Sequence, residues 1–317
     1  MKEKILVTGG SGFVGTNILK LISKYYKNID STFHSKKNFY KVKGVNYFKA
    51  DLEKRSSCRK ICKNIDTIIM CAADSSGAQD MTNNPLFHLN SNLRMNINIL
   101  EAAYEMKVKR FIFISSNTVY PFSNLHVSEK DAKFRFYKKY YIVGWMKRFS
   151  EILCDIYSTK LKKKMTTIVI IPGNLYGPHD KFDENKSKVS PSLIKKVVEK
   201  ENPISVWGDG NDLKDFLYIE DFAKSILKIL QSVQHSEIIN IASGKGVTIR
   251  TILSKIIKIE KLKNYKIYFD RSKPTMIPKR LISIKKALKI INFYPITNLD
   301  SGLKKTIIWY KKNFSKK

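Results

Sequence analysis

Ile5-Leu6-Val7-Thr8-Gly9-Gly10-Ser11-Gly12-Phe13-Val14-Gly15 decides how this chain is read. Ile5 to Val7 form a short apolar run, as a buried parallel strand does. Phe13, Val14, Ile18, Leu19 and Ile22 then recur at helical spacing. Gly9, Gly12 and Gly15 fill the turn between strand and helix. Glycine there permits a tight bend, close approach of backbone N–H groups to a pyrophosphate, and close helix–strand contact. The helix N-terminus adds partial positive charge. A first βα turn built this way predicts dinucleotide binding, against the alternative of a purely structural glycine turn.

Strand and helix patterns alternate outward from that turn. Strands are expected at Ile29–Phe33 and at residues 45–48, 67–71, 110–115 and 167–171, with a late one at 238–241. Long helices are expected at 89–107 and 142–160. This alternation predicts an α/β fold: a Rossmann-type, doubly wound parallel sheet with a smaller, discontinuous α/β substrate-binding domain. The expected division is residues 1–173, with a return of about 215–243, for the dinucleotide-binding domain, and 174–214 with 244–317 for the second. Ligands of such sheets bind beyond the carboxyl ends of the strands. Asp51-Leu52, Cys71-Ala72-Ala73, Ser115-Ser116 and Pro172-Gly173-Asn174 should therefore converge on one crevice.

Composition narrows the class. The 317 residues are 43% hydrophobic, enough for a packed core. No run of ~18 apolar residues predicts a membrane span, and the first residues carry no signal-peptide pattern. Cys58, Cys62, Cys71 and Cys154 show no zinc-type spacing, so no metal is expected and free thiols in a reducing cytoplasm are. Lys and Arg number 59 against 27 Asp and Glu, a net charge of +32. The lysines are spread along the whole chain rather than gathered in one arm, which argues against a nucleic-acid partner. So basic a surface attracts a doubly charged diphosphate. It also permits peripheral contact with anionic membranes.

Several stretches together resemble the extended short-chain dehydrogenase/reductases that act on nucleotide sugars. They are residues 8–15, Ala50-Asp51-Leu52, Cys71-Ala72-Ala73, Ile99-Leu100-Glu101-Ala102-Ala103, residues 115–121, Asn174-Leu175-Tyr176-Gly177-Pro178, Val206-Trp207-Gly208 and residues 216–222. The match runs in order over nearly the whole chain. Residues 172–182 and Val206-Trp207-Gly208-Asp209-Gly210 look most like the GDP-L-fucose synthase branch. The resemblance implies an NAD(P) cofactor, a nucleotide-diphosphate sugar (GDP-linked favoured), and a homodimer built on helices 89–107 and 142–160.

By position, the resemblance sets Gly9, Gly12, Phe13, Val14 and Gly15 at the pyrophosphate. It sets Asp51 and Leu52 at the adenine, Ala72 and Ala73 on the ribose side, and Pro172 and Asn174 at the same cofactor. The second strand ends Phe33-His34-Ser35-Lys36, with no acid for a ribose 2′-hydroxyl. Either His34, Ser35 or Lys36 meets a 2′-phosphate, or they form a solvated basic loop. NAD and NADP both stay open.

In the family a Ser or Thr orients the sugar C4 oxygen and a Tyr exchanges its proton. A Lys four residues later lowers the tyrosine pKa and holds the nicotinamide ribose. Such spacing puts Tyr and Lys on one helix face. Ser116, four before Tyr120, and Lys147 fall on two of these positions. Val143 falls on the tyrosine position, and valine exchanges no proton. Either the register slips and Tyr140 or Tyr141 is the catalytic tyrosine, or the relay is altered and an upstream Tyr, the Thr118 hydroxyl or water substitutes. Asn117-Thr118 stands where the family's dehydratases carry Asp-Glu, which argues against dehydration. Thr118 and Lys188 stand where GDP-L-fucose synthases carry the Cys and His that invert C3 and C5. Hydride transfer at C4 of a GDP-hexose or GDP-heptose, for surface polysaccharide, is what remains. A 3,5-epimerase/4-reductase, a UDP-sugar 4-epimerase and a catalytically weak cofactor-binding protein are the alternatives. For the substrate, the resemblance points to Asn174, Lys188, Val206 and Trp207, with Lys214 and Arg280 on the diphosphate. Lys at 214 loses the bidentate fork of the branch's Arg.

Overall fold

Strand β1 (Ile5–Thr8) is buried throughout and lies between two parallel neighbours, β2 (Ile29–Phe33) and β4 (Thr67–Met70). Our computed structural model describes residues 3–35, 38–74, 85–183 and 187–314. Beyond β2 stands β3 (Asn46–Lys49). Beyond β4 stand β5 (Arg110–Ile114), β7 (Thr166–Pro172) and β11 (Glu237–Ile241). The seven strands run in the order β3-β2-β1-β4-β5-β7-β11, every pair parallel. Their near-continuous Ile, Val and Phe runs are what a sheet covered on both faces requires.

Side chains alternate across that sheet. Ile5, Val7, Ile112, Ile168 and Ile170 face one core with α1 (Phe13–Ile22) and the later helix 219–232. Leu6, Ile68, Phe111, Phe113 and Val169 face the other. That second face is covered by α2 (Arg55–Cys62), α3 (Pro85–Glu105) and α4 (Tyr141–Thr159).

A second sheet takes strands from the rest of the chain. It runs β12 (Gly246–Thr248), β10 (Leu213–Tyr218), β14 (Lys279–Ile282), β6 (His126–Val127), with β8 (Asn174–Tyr176) also paired to β10. A two-stranded ribbon joins β9 (Ile204–Trp207) to β13 (Ile267–Asp270). Two further helices matter below: α5 (Val189–Val198) and α6 (Ile219–Ser232), the latter packed on α1.

The expected elements form, with shifts at their ends. The strand expected at 110–115 stops at Ile114, so Ser115 leaves the sheet, and the helix expected from 89 starts at Pro85. The expected return at 215–243 is corrected in one part. β10 pairs with the second sheet, because its neighbours are β8, β12 and β14, and only α6 and β11 rejoin the first. Lys36 lies outside the described residues.

Arg110 holds the opposite end of the main sheet. It is 6% exposed. Its Nε donates to Thr67 Oγ1 at 3.1 Å, and one terminal nitrogen donates to the Leu230 and Val233 carbonyls at 3.0 and 3.1 Å. The other pairs with Glu3 at 2.8 Å. The two carbonyls close the C-terminal end of α6, where a cation is favoured. Arg110→Ala takes this donor from the Leu230 and Val233 carbonyls and the cation from Glu3, which keeps only its bond from Thr67. The expected loss is about 3 kcal/mol, read as a lower urea midpoint at unchanged slope.

Candidate active site

The glycine turn lies where the strand order reverses, between β1 and β4. Gly9 has φ +68°, and a Cβ there would stand 2.8 Å from the backbone N and Cα of Ala72. A Cβ on Gly15 would press on Gly9 O and stand 2.9 Å from Gly10 Cα. The turn closes only because these positions lack side chains. Thr8 Oγ1 accepts the N–H groups of Cys71 and Ala72, both at 3.2 Å. Gly9 N donates to Thr32 Oγ1 at 3.2 Å and Gly10 N to Thr32 O at 2.9 Å. The ends of β1, β2 and β4 are thus tied at one point.

Gly12 is exposed, caps α1 without a side-chain bond, and precedes a first turn with no acid. The first N–H groups of a helix lack intrahelical partners. Unpaired N–H groups of this kind suit an anion, and dinucleotide binding at this turn fits the residues present. Phe13 is buried and Val14 half-buried behind it. At the adenine side, Leu52 is buried and Asp51 Oδ1 accepts Glu53 N–H at 3.0 Å. His34 and Ser35, past β2, are exposed, as is Ala73; Ala72 is half-buried.

The chemical end of the crevice is built where β5 meets α4. Ser115 and Ser116 leave the strand, and Ser116 Oγ accepts Thr118 N–H at 3.3 Å, capping a 3-10 turn over Asn117–Val119. Asn117 Nδ2 donates to Pro172 O at 3.0 Å. From α4, Lys147 Nζ donates to Ile114 O at 3.0 Å and lies 4.9 Å from the Phe113 ring centre. Burial pushes Lys147 down to about 8, against the pull of Glu151 and the thiols of Cys71 and Cys154. Glu151, one turn on, accepts Ser115 Oγ–H at 2.5 Å and pairs with Arg148 at 2.8 Å. Burial raises its carboxyl, against both of those bonds.

Val143 stands one turn before Lys147, and the helix begins only at Tyr141. Neither upstream tyrosine is brought to the lysine. Tyr141 is 58% exposed, its ring 6.1 Å from that of Phe136. Tyr140 receives a backbone hydrogen bond from Ile277 beside Arg280, and burial pushes its phenol up to about 12. Gly144 lets α4 close on the turn, since a Cβ there would stand 2.7 Å from Thr118 O. Thr118 is 7% exposed and, among the described residues, its hydroxyl has no hydrogen-bond partner.

The substrate-side residues divide. Val206 is buried in β9 and Trp207 stands 38% exposed at its end. Asn174 Nδ2 donates to Asp215 O at 3.0 Å. Lys188 is exposed. The diphosphate expectation for Lys214 and Arg280 meets a different geometry. Lys214 is buried, bonded to Ile277 O and paired with Asp212 at 3.1 Å. Arg280 is 1% exposed and donates to Tyr120 O at 2.8 Å and Pro121 O at 2.7 Å. Lys214 is thus engaged by the Ile277 carbonyl and the Asp212 carboxylate, and Arg280 by the carbonyls of Tyr120 and Pro121, between β5 and β6. Ser115, expected at the crevice with Ser116, lies there bonded to Glu151. Glu151 is the residue given no role from sequence, and its helical spacing from Lys147 was the signal that could have found it.

A uniform Rossmann order, a glycine turn at its switch point and a half-buried lysine held at the end of β5 mark a nucleotide-dependent oxidoreductase. The model of the NAD dependent epimerase/dehydratase family matches residues 5–242. The chain belongs to that family. It is 26% identical to dTDP-4-dehydro-6-deoxy-D-allose reductase of a Streptomyces species, over 97% of this chain and 96% of the relative. It is 28% identical to GDP-L-fucose synthase 1 of Arabidopsis thaliana, over 98% and 94%. The fold matches UDP-glucose 4-epimerase of Thermotoga maritima at TM-score 0.86 and 20% identity, covering 98% and 100%. The protein is an NAD(P)-dependent enzyme of the nucleotide-sugar epimerase and reductase class.

The depressed Lys147 has a measurable sign. Unfolded, a lysine titrates near about 10.4; in the folded protein this one titrates near about 8. Between those values the unfolded chain holds more protons, so this group makes stability rise with pH. Urea denaturation across that window should give a more positive slope of stability against pH for the protein than for Lys147→Met, on a background set by buried thiols and phenols whose raised pKa values act in the opposite direction. Equal slopes would refute the burial of a titrating ammonium.

Proposed function

We propose that this enzyme oxidises or reduces C4 of a nucleotide-diphosphate sugar, with a GDP-hexose or GDP-heptose as its substrate. One observation carries the reading. Lys147 is fixed at the carboxyl end of β5 beside Ser115 and Ser116, while Val143 stands one turn away. The frame for hydride transfer is kept, and the proton-exchanging side chain of the family is not. The Streptomyces relative is itself named as a 4-dehydro-sugar reductase, and the Arabidopsis relative as a GDP-L-fucose synthase. The matches at residues 172–182 and 206–210 favour the GDP branch.

When bound, the nicotinamide gives or takes the hydride. Ser116 orients the C4 oxygen. Lys147 holds a proton at Nζ near neutral pH and supplies positive charge. Among the groups that could replace the missing phenol, Thr118 has the strongest support: its buried hydroxyl has free capacity among the described residues, while Tyr141 faces outward and Tyr140 is engaged at Ile277. Neither Thr118 nor Lys188 is suited to deprotonating carbon, so inversion at C3 and C5 is not part of this reading.

The same reading makes the product a unit for surface polysaccharide and places the enzyme in the cytoplasm, where its four cysteines remain free. No helix among the described residues is long and apolar enough to cross a membrane. It also makes the active form a homodimer through α3 and α4. Exposed Ile97, Tyr141 and Trp145 support that face, with Trp145 stacked 5.5 Å from Phe149.

Incubation with GDP-, dTDP- and UDP-sugars should change nicotinamide absorbance with a GDP-sugar, and without deuterium entering C3 or C5 in heavy water. No redox change with any of them would refute the proposal. Val143→Tyr should raise kcat by about 10²-fold or more, the usual contribution of a placed general acid–base group. An unchanged kcat would refute the altered relay.

A further inference from the structure

Lys147 and Glu151 stand one turn apart on α4, so both side chains leave the same helix face. They take hold of consecutive residues at the end of β5. Lys147 Nζ donates to Ile114 O at 3.0 Å, and Glu151 Oε1 accepts Ser115 Oγ–H at 2.5 Å. Ser115 N–H meanwhile donates to Ile170 O at 2.8 Å, so its backbone stays tied to β7. Ser116 follows directly, and its Oγ accepts Thr118 N–H. The place of Ser116 is therefore set by how residue 115 is held.

Glu151 is 1% exposed, and burying an ionised carboxylate is costly unless it is paired and hydrogen-bonded. Here both oxygens are met, one by Ser115 and the other by Arg148 at 2.8 Å. Burial raises the carboxyl, while the Ser115 hydroxyl and the Arg148 guanidinium favour its ionised form. Holding Ser115 does not by itself require an acid, since a glutamine oxygen accepts the same hydroxyl without the cost of a charge. Lys147 supplies the reason. Its ammonium is disfavoured by burial, and of the groups that favour it Glu151 contributes most. The thiols of Cys71, from the end of β4, and Cys154, one turn along α4, are kept protonated by their own burial. Tyr120, from the turn after β5, is kept protonated in the same way.

We propose that Glu151 is a positioning residue for the chemistry at C4: ionised, it fixes Ser115 so that Ser116 is presented to the sugar, and it is the buried counter-charge of Lys147. This rests on the hydride-transfer reading above and names a residue that reading does not use. One side chain thereby couples the geometry of the serine to the charge of the lysine. Arg148 completes the arrangement by offsetting the acid from its other oxygen.

Labelling with acetic anhydride across the alkaline range, read at Lys147 by mass spectrometry, follows the ammonium without substrate or turnover. Glu151→Gln should lower the labelling midpoint of Lys147 by about one pH unit, the low end of what a neighbouring opposite charge contributes. Glu151→Asp keeps the charge and should leave the midpoint near that of the unaltered protein. A midpoint unmoved by Glu151→Gln overturns the counter-charge; a purely structural glutamate would lower only the urea midpoint. Ser115→Ala and Glu151→Asp each release residue 115 while keeping the acid, and each should cut kcat at C4 roughly tenfold with KM little changed, the scale of a small misplacement at a reacting centre. Combining the two should cost no more than either alone. An unchanged kcat in Ser115→Ala overturns the positioning role, and that variant decides it even where the Glu151 variants fail to fold. A midpoint shift in a protein that transfers no hydride to or from any nucleotide sugar would instead overturn the function on which the proposal rests.

Discussion

An added Cβ at Gly9 would stand 2.8 Å from the backbone of Ala72, so the ends of β1 and β4 meet with no side chain between them. Everything in the crevice takes its position from that contact. It brings the 71–73 segment against the turn, and Thr8 secures it by accepting two successive N–H groups from β4's end. The left-handed backbone at Gly9 is cheap only for glycine. The same turn aims the start of α1 at the space between the strands, where a diphosphate meets unpaired backbone donors.

From there the crevice divides into a well-kept end and an altered end. At the cofactor end, the shape of the crevice is set by backbone geometry and by glycines that admit close approach. At the chemical end, function depends on individual side chains. Lys147 is held by Ile114 O, and Glu151 by Ser115 and Arg148, in a buried chain of charge and hydroxyl. Burial works against the charged form of both, lowering the lysine and raising the acid, while each favours the other's charge. Valine at 143 leaves this network without a phenol, while Thr118, whose carbonyl oxygen lies against the helix at Gly144, has a hydroxyl with no partner among the described residues.

Much of this was legible in the residues because it is local. Apolar runs of strand length, helical spacing after them and glycines between them are properties of a few neighbouring positions. The parallel order followed from their alternation, and the return of 238–241 to the main sheet was readable from its apolar run. What was not legible depends on partners far along the chain. Lys214 and Arg280 look like diphosphate ligands in sequence, yet carbonyls of Ile277, Tyr120 and Pro121 engage them. Strand β10 looks like part of the first sheet, yet its edges meet β8, β12 and β14.

The sequence by itself determined the parallel sheet, the glycine turn, the family and the absence of a tyrosine one turn before Lys147. Each of these is written in residue type and short spacing. Only the tertiary structure decided what the cations do. Lysine and arginine read alike in a chain this basic, and a charge acquires a role only from what it is buried against. Tertiary contacts spent Arg280 on the protein's own backbone, turned Tyr141 outward, and carried Lys188 and Pro178 across to the first turn of α1.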